Sequence, residues 1–317
     1  MNPASPPAGS LEPTLTKESG RLKSFDPEGI YKLPRSVRYF NVSVLWIAYY
    51  PHLTRALYAL RIRHEVVTLI SLGCGLLGAA ILSSAHTTVG LILCALMVHL
   101  KDAFDACDGA LARVTGTGHR IGRFLDTIGD GVVFTALIAA VAWNDLDQGH
   151  SAIGTAVWAG LTWLSLFLQC SYFNFYHLQY AQLVGADSVS RLDERTTADD
   201  ADRQRSRPAR ILLGWLQHVY LWWFGWQDHL IRSLDRFSRP PAIHNQPVND
   251  SDSGRWYGAR GFLTANSALC YGTHAFVLIL CLIAGRPFWF FPVVVIGMNL
   301  YWAAILLSRW IIFRRVA

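Results

Sequence analysis

Apolar positions in this chain gather into long unbroken runs rather than into the period-two alternation of strands. Six stretches stand out: Val66–Leu82, Thr88 to the carboxylates at Asp105 and Asp108, Arg123–Trp143, Ala152–Tyr176, Phe262–Ala284 and Phe288–Phe313. Each is of the order of the ~17–25 residues an α-helix needs to cross hydrocarbon. The pattern predicts an all-α, polytopic integral membrane protein with six transmembrane helices. Two further segments are amphipathic instead of uniformly apolar. Before the first run, Lys32, Arg35, Arg38, Arg55, Arg61 and Arg63 are interleaved with Tyr39, Phe40, Trp46, Tyr49, Tyr50 and Tyr58. That mixture suits N-terminal juxtamembrane helices lying among headgroups. Between the fourth and fifth runs, Leu212, Trp215, Val219, Trp222, Trp226, Leu230 and Leu234 recur at helical spacing. They predict an inserted interfacial helix over Trp215–Leu234.

These elements divide the chain into a disordered tail (1–30), a block of juxtamembrane helices and spans one to four (31–176), a cytoplasmic insert (177–257) and spans five and six (258–317). Composition agrees with a membrane protein: 52% of the 317 residues are hydrophobic, only 16% are charged, and there are 12 tryptophans. The formal net charge of +6 is carried mostly by arginine. In such a chain it points to loops facing anionic lipid, not to nucleic acid. The six cysteines sit singly inside apolar runs and read as packing residues, without disulfides or a zinc site.

Loop charge sets the orientation. The connection Trp143–Ala152 carries Asp145 and Asp147 but no lysine or arginine, whereas Arg113, Arg120 and Arg123 flank the loop between the second and third runs. The C-terminal end is also arginine-rich. The positive-inside rule then places both termini and that loop in the cytoplasm, against the single dissent of Arg286. A seventh span through the tryptophan-rich segment would break this pattern.

Candidate chemistry concentrates between Asp105 and Asp130. Asp105 and Asp108 lie ~60° apart around one helix, and Asp126 and Asp130 ~40° apart around the next. If the two helices are antiparallel neighbours, four carboxylates converge, and without compensation they would not stay ionised together. A hard divalent cation resolves the conflict, because Mg²⁺ or Mn²⁺ takes oxygen ligands and bridges them to phosphates. Beside the carboxylates stand Gly109 and Ala112, which leave room for a close ligand, and Arg113, whose guanidinium suits phosphate. Gly122 leaves room opposite or serves helix packing; both readings stay open.

The residues Asp105, Asp108, Gly109, Ala112, Arg113, Gly122, Asp126 and Asp130 match, position for position, D-x2-D-G-x2-A-R-x8-G-x3-D-x3-D. This resembles the signature of the CDP-alcohol phosphotransferase family. The resemblance implies that Asp105, Asp108, Asp126 and Asp130 hold Mg²⁺ or Mn²⁺, two ions in all, with Asp130 the general base and Asp126 also catalytic. It implies CDP binding at Gly109, Ala112, Arg113 and Gly122. The segment at Thr68 resembles the family's PN-x-x-T, but His64 and Glu65 replace its proline and asparagine, so Thr68 reads equally as a phosphate contact or a helix-start hydroxyl.

The implied reaction is transfer of a substituted phosphate from a CDP-alcohol to an acceptor hydroxyl with release of CMP, within phospholipid synthesis. One substrate is a lipid: CDP-diacylglycerol as donor, or a diglyceride-like acceptor for a CDP-ethanolamine or CDP-choline type donor. A homodimer is left open. A divalent-cation transporter would also need carboxylates, but along a path at the midplane and on several helices. A membrane prenyltransferase would show two separated aspartate motifs. Asp102, outside the signature, reads as a neighbouring contact or as part of a helix end.

Overall fold

The computed structural model describes residues 25–186, 195, 207–239 and 251–316. Residues 1–24 of the predicted 1–30 tail, most of the charged part of the insert and its Pro-rich linker lie outside these, while the tail's last residues form a 3₁₀ turn, Glu28–Ile30, with Ile30 buried. Helices follow one another as α1 (Tyr50–Ala59), α2 (His64–Ser83), α3 (Thr88–Thr115), α4 (Arg120–Asp147) and α5 (Ala152–Leu183). After the insert's first part come α6 (Arg207–Ser238), α7 (Ser251–Gly258), α8 (Arg260–Asn266) and α9 (Tyr271–Ile283). The last rod starts as a 3₁₀ turn at Pro287–Trp289, loosens into a π-helix over Val293–Met298 and ends as α10 (Asn299–Val316). No strand occurs among the described residues.

Local chemistry fixes the boundaries of the two central helices. Thr87 caps α3 by accepting a hydrogen bond from the Gly90 amide (3.2 Å). Gly116 ends it in the left-handed conformation (φ 65°), with the Thr117 amide returning to the Ala112 carbonyl (3.0 Å). Such a C-terminal glycine satisfies carbonyls that the helix leaves unpaired. His119 then caps α4 through Nδ1, which accepts from the Gly122 amide (2.9 Å). The reversal needs four residues, 116–119, so α3 and α4 fold back on each other.

Glycines bring the helices to close range. A Cβ on Gly75 of α2 would stand 2.5 Å from Val133 Cγ1 of α4 and 3.1 Å from Lys101 Cγ of α3. Only glycine permits that three-way contact. A Cβ on Gly78 would lie 3.2 Å from Met97 Cβ, which keeps α2 against α3 further along. The main core fills the space between α3, α4, α5 and α9 with Val98, Phe134, Leu137, Leu166, Phe167 and Leu278. Within it the rings of Phe134 and Tyr271 stack at 5.1 Å. A buried polar chain runs through the same bundle: Gln169 donates to Asn299 (2.8 Å) and meets His274 Nε2 (2.8 Å), while Asn299 donates to Ser165 (2.8 Å). It ties α5, α9 and α10 together where no water would otherwise satisfy these groups.

Among the described residues, four helical segments are long and apolar enough to cross a membrane: α2, α4, α5 and Pro287–Ile311. A fifth is broken, with the stretch Arg260–Leu269 bent by 47° against α9. The break has a cause: Cys270 is extended (φ −78°, ψ 160°), and a Cβ on Gly272 would come within 2.6 Å of the Ser43 carbonyl. The expected span Phe262–Ala284 therefore carries a bend that admits the N-terminal segment. The expected second span, α3, is long enough but interrupted by Lys101, Asp102 and Asp105. The charges that the site requires lower the apolar character of the helix that carries it.

The inserted helix α6 is longer than the expected Trp215–Leu234 and has apolar residues on two faces. Leu213, Leu216, Tyr220, Phe224 and Ile231 are buried. Trp215, Trp222, Trp226 and Leu230, the row that sequence periodicity singled out, stay exposed. Both faces carry large apolar side chains, so periodicity alone does not say which one packs inward. Tyr220 meets Phe124 of α4 (5.4 Å), Phe224 meets Phe167 of α5 (6.0 Å), and Ser171 of α5 donates to Gln227 (2.7 Å). Thus α6 lies across α4 and α5 at the level of the aspartate-bearing turns.

Candidate active site

The reversal at Gly116–His119 places the last turns of α3 beside the first turns of α4. Carboxylate oxygens of Asp105, Asp108 and Asp126 lie within 4.8 Å of one another. Asp108 is buried, while Asp105 and Asp126 are half-buried. Three oxygen donors facing each other at this range, without enough donors to neutralise them, form a set that suits a hard divalent cation. Imidazole and thiolate, which would favour softer metals, are missing from it.

The fourth aspartate of the signature is engaged elsewhere. Asp130, one turn beyond Asp126, accepts a hydrogen bond from Lys101 Nζ. The same ammonium lies 3.5 Å from Asp105 Oδ1. Lys101 is almost fully buried, its charge met by these carboxylates. Three of the four predicted ligands thus come together around one point, and the fourth is held by a lysine.

The remaining predicted residues take distinct positions. A Cβ on Gly109 would meet only the Arg113 guanidinium, at 3.3 Å, so space beside it is otherwise open. Ala112 is half-buried on the same helix. Arg113 donates through one terminal nitrogen to the Ile30 carbonyl (2.6 Å), which pins the N-terminal segment over the end of α3. At Gly122 a Cβ would crowd the His119 ring at 3.2 Å, so this glycine is needed by the helix cap itself. Thr68 donates to the His64 carbonyl (3.1 Å), the ordinary bond of a helical threonine, and its hydroxyl faces Asp108.

Sequence reasoning missed most of the support around these groups. Asp102 accepts a hydrogen bond from Trp46 Nε1 (2.8 Å), and the Trp46 ring stacks on Phe276 (4.4 Å between centroids). This side chain anchors the N-terminal segment to α3 and α9. Tyr39 and His177 share a hydrogen bond of 2.8 Å and join the same segment to α5. Arg123 stands 4.0 Å from Asp126. Only the i,i+4 spacing of Lys101 and Asp105 could have signalled the lysine beforehand.

A second ligand-rich group, His64, Glu65 and His119, lies at the outer rim. Its donors are taken: Glu65 pairs with Arg63 (2.9 Å) and with His64 (3.3 Å), and His119 Nδ1 caps α4. In the aspartate group, Asp105 has Lys101, Asp126 has Arg123 and Asp108 has the Thr68 hydroxyl, yet the three carboxylates still face one another. Against known families, residues 64–192 match the family model described as CDP-alcohol phosphatidyltransferase. That interval contains α2 to α5 and every residue of the aspartate signature. Comparison with curated proteins gives no match.

Proposed function

We propose, from the match of residues 64–192 to the CDP-alcohol phosphatidyltransferase family model, that the chain moves a substituted phosphate from CDP-diacylglycerol to an acceptor alcohol and releases CMP. The observation that carries this reading is the confrontation of Asp105, Asp108 and Asp126 beside the open space at Gly109. These three carboxylates would hold Mg²⁺ or Mn²⁺. Such an ion, when bound, neutralises pyrophosphate oxygens and stabilises the departing phosphate of CMP.

The chain's own residues do the rest. Gly109 and Ala112 leave α3 smooth where a nucleotide diphosphate must approach. Asp130, hydrogen-bonded to Lys101 and so fixed in position, accepts the proton of the acceptor hydroxyl as that oxygen attacks the phosphorus carrying the donor alcohol. A new P–O bond forms, the P–O bond to CMP breaks, and the proton rests on Asp130. Trp46, through Asp102, keeps the N-terminal segment packed over the helix.

The membrane arrangement belongs to the same proposal. Six crossings result when α3 and the bent pair are counted with the four apolar segments. Arginine placement puts the site and both termini on the cytoplasmic side. The exposed row Trp215, Trp222 and Trp226 then rests in the headgroup region of that leaflet, next to the way in for a lipid. Purified protein in lipid nanodiscs with Mn²⁺ tests the reaction, with CDP-diacylglycerol or CDP-ethanolamine against a panel of acceptors. CMP release with CDP-diacylglycerol supports the proposal. Release only with CDP-ethanolamine and a diglyceride would reverse the assignment of donor.

A further inference from the structure

A permanent cation stands inside the carboxylate cluster. Lys101 is on α3, one turn before Asp105, and its side chain is 5% exposed. The ammonium bridges two of the four signature carboxylates, Asp130 by a hydrogen bond and Asp105 at 3.5 Å. Its stem is confined. Cγ lies 3.1 Å from the position that a Cβ on Gly75 would occupy, and Nζ stands 5.8 Å from the centroid of the Phe134 ring. The Lys101 carbonyl accepts from Ser71 of α2 (2.9 Å), which fixes the backbone from the same side. No lysine follows it in the chain, although arginines are numerous. A compact ammonium fits between two carboxylates on adjacent helices where a planar guanidinium would not.

Charge balance gives the arrangement its meaning. Asp105, Asp108, Asp126 and Asp130 bring four negative charges when ionised. One divalent ion and one ammonium together offset three of them, and the incoming diphosphate adds more negative charge. A second divalent ion between Asp105 and Asp130 would have to displace the ammonium from these carboxylates, leaving a buried, uncompensated cation at high cost.

We propose that Lys101 substitutes for a second metal ion, so that the chain holds one divalent cation on Asp105, Asp108 and Asp126 while Asp130 stays outside its coordination. The inference rests on reading those three aspartates as metal ligands. It makes Lys101 a positioning residue, acting through Asp130 and through the number of ions bound.

The test counts ions on the protein without substrate. Equilibrium dialysis against Mn²⁺, with free ion followed by its paramagnetic resonance signal, should give one tightly bound ion per wild-type chain. Lys101→Met should raise the count to two. Asp126→Asn should lower the affinity by more than ~100-fold, and Asp130→Asn by no more than ~10–100-fold, the smaller loss being that of a group outside the coordination shell. Two ions on the wild-type chain, an unchanged count in Lys101→Met, or equal losses for Asp126→Asn and Asp130→Asn would each overturn the proposal. If Lys101→Met does not fold, the wild-type count and the aspartate pair still decide. Failure to release CMP from any donor would overturn the functional reading and leave the ion count standing.

Discussion

Asp235 on α6 and Asp108 on α3 are both buried carboxylates, and their surroundings could hardly differ more. Asp235 accepts hydrogen bonds from Tyr176 (2.6 Å), Trp256 (3.0 Å), Tyr257 (2.8 Å) and Arg239 (2.8 Å). Arg309 closes the cluster, stacked 3.5 Å over the Trp256 ring and donating to the Trp256 carbonyl (2.7 Å). Asp108 faces Asp105 and Asp126 instead, with the Thr68 hydroxyl as its partner, while Lys101 and Arg123 pair with the neighbouring carboxylates. Saturation of a buried carboxylate by its own chain marks a joint between helices. Confrontation of carboxylates marks a place built for something brought from outside. The first cluster holds α5, α6, α7 and α10 in register; the second brings like charges together at the reversal between α3 and α4.

Substitutions should separate the two. The largest effect on chemistry is expected at the open cluster: Asp108→Asn or Asp126→Asn should reduce CMP release by at least ~10³-fold, because electrostatic stabilisation of the developing charge supplies most of the acceleration in such transfers. Thermal unfolding in detergent without metal should not be lowered, since each change removes repulsion. At the saturated cluster the pattern reverses. Asp235→Ala leaves Arg239 and three other donors without their acceptor, at a cost of about 3–5 kcal/mol. Its signature is a lower unfolding temperature, with activity per folded molecule retained.

Much of the open cluster was legible from sequence because spacing along two helices defines it. Eight fixed positions lie within Asp105–Asp130, and a short reversal suffices to bring the helices together. The apolar runs were equally plain. Other features depend on groups that meet only after folding. Tyr176 and Asp235 are 59 residues apart, and Trp46 and Asp102 are 56 apart. Periodicity along α6 found the tryptophan row but not the inward row, since a helix with two apolar faces gives no single stripe. Lys101 sits beside Asp102 in sequence, yet its partners are Asp105 and Asp130. The bend before α9 is hidden because Ser267–Cys270 is apolar enough to pass for continuous helix.

Two smaller effects sharpen the contrast. Gly75→Ala would place a methyl group 2.5 Å from Val133 and 3.1 Å from the Lys101 stem. Overpacking of this kind costs about 1–3 kcal/mol. Because the shift reaches Lys101, Mn²⁺ affinity should fall together with unfolding temperature, which Asp235→Ala should not cause. The smallest change is expected outside both clusters. Trp222 and Trp226 are 79% and 41% exposed, and anchoring each ring at the membrane surface contributes roughly 1.5–3 kcal/mol at most. Replacing both with serine should raise KM for the lipid substrate several-fold and leave KM for the soluble one unchanged. Equal changes in both would make α6 a packing element only.

The central claim, that the confronting carboxylates serve metal-dependent phosphate transfer, is tested most directly by CMP release in nanodiscs containing CDP-diacylglycerol and the acceptor panel. Wild-type protein should release CMP with Mn²⁺ or Mg²⁺, stop when EDTA is added and resume when the ion is restored; Asp126→Asn should release none under any of these conditions. Turnover that persists in EDTA, or in Asp126→Asn protein freed of endogenous enzyme, would contradict the account.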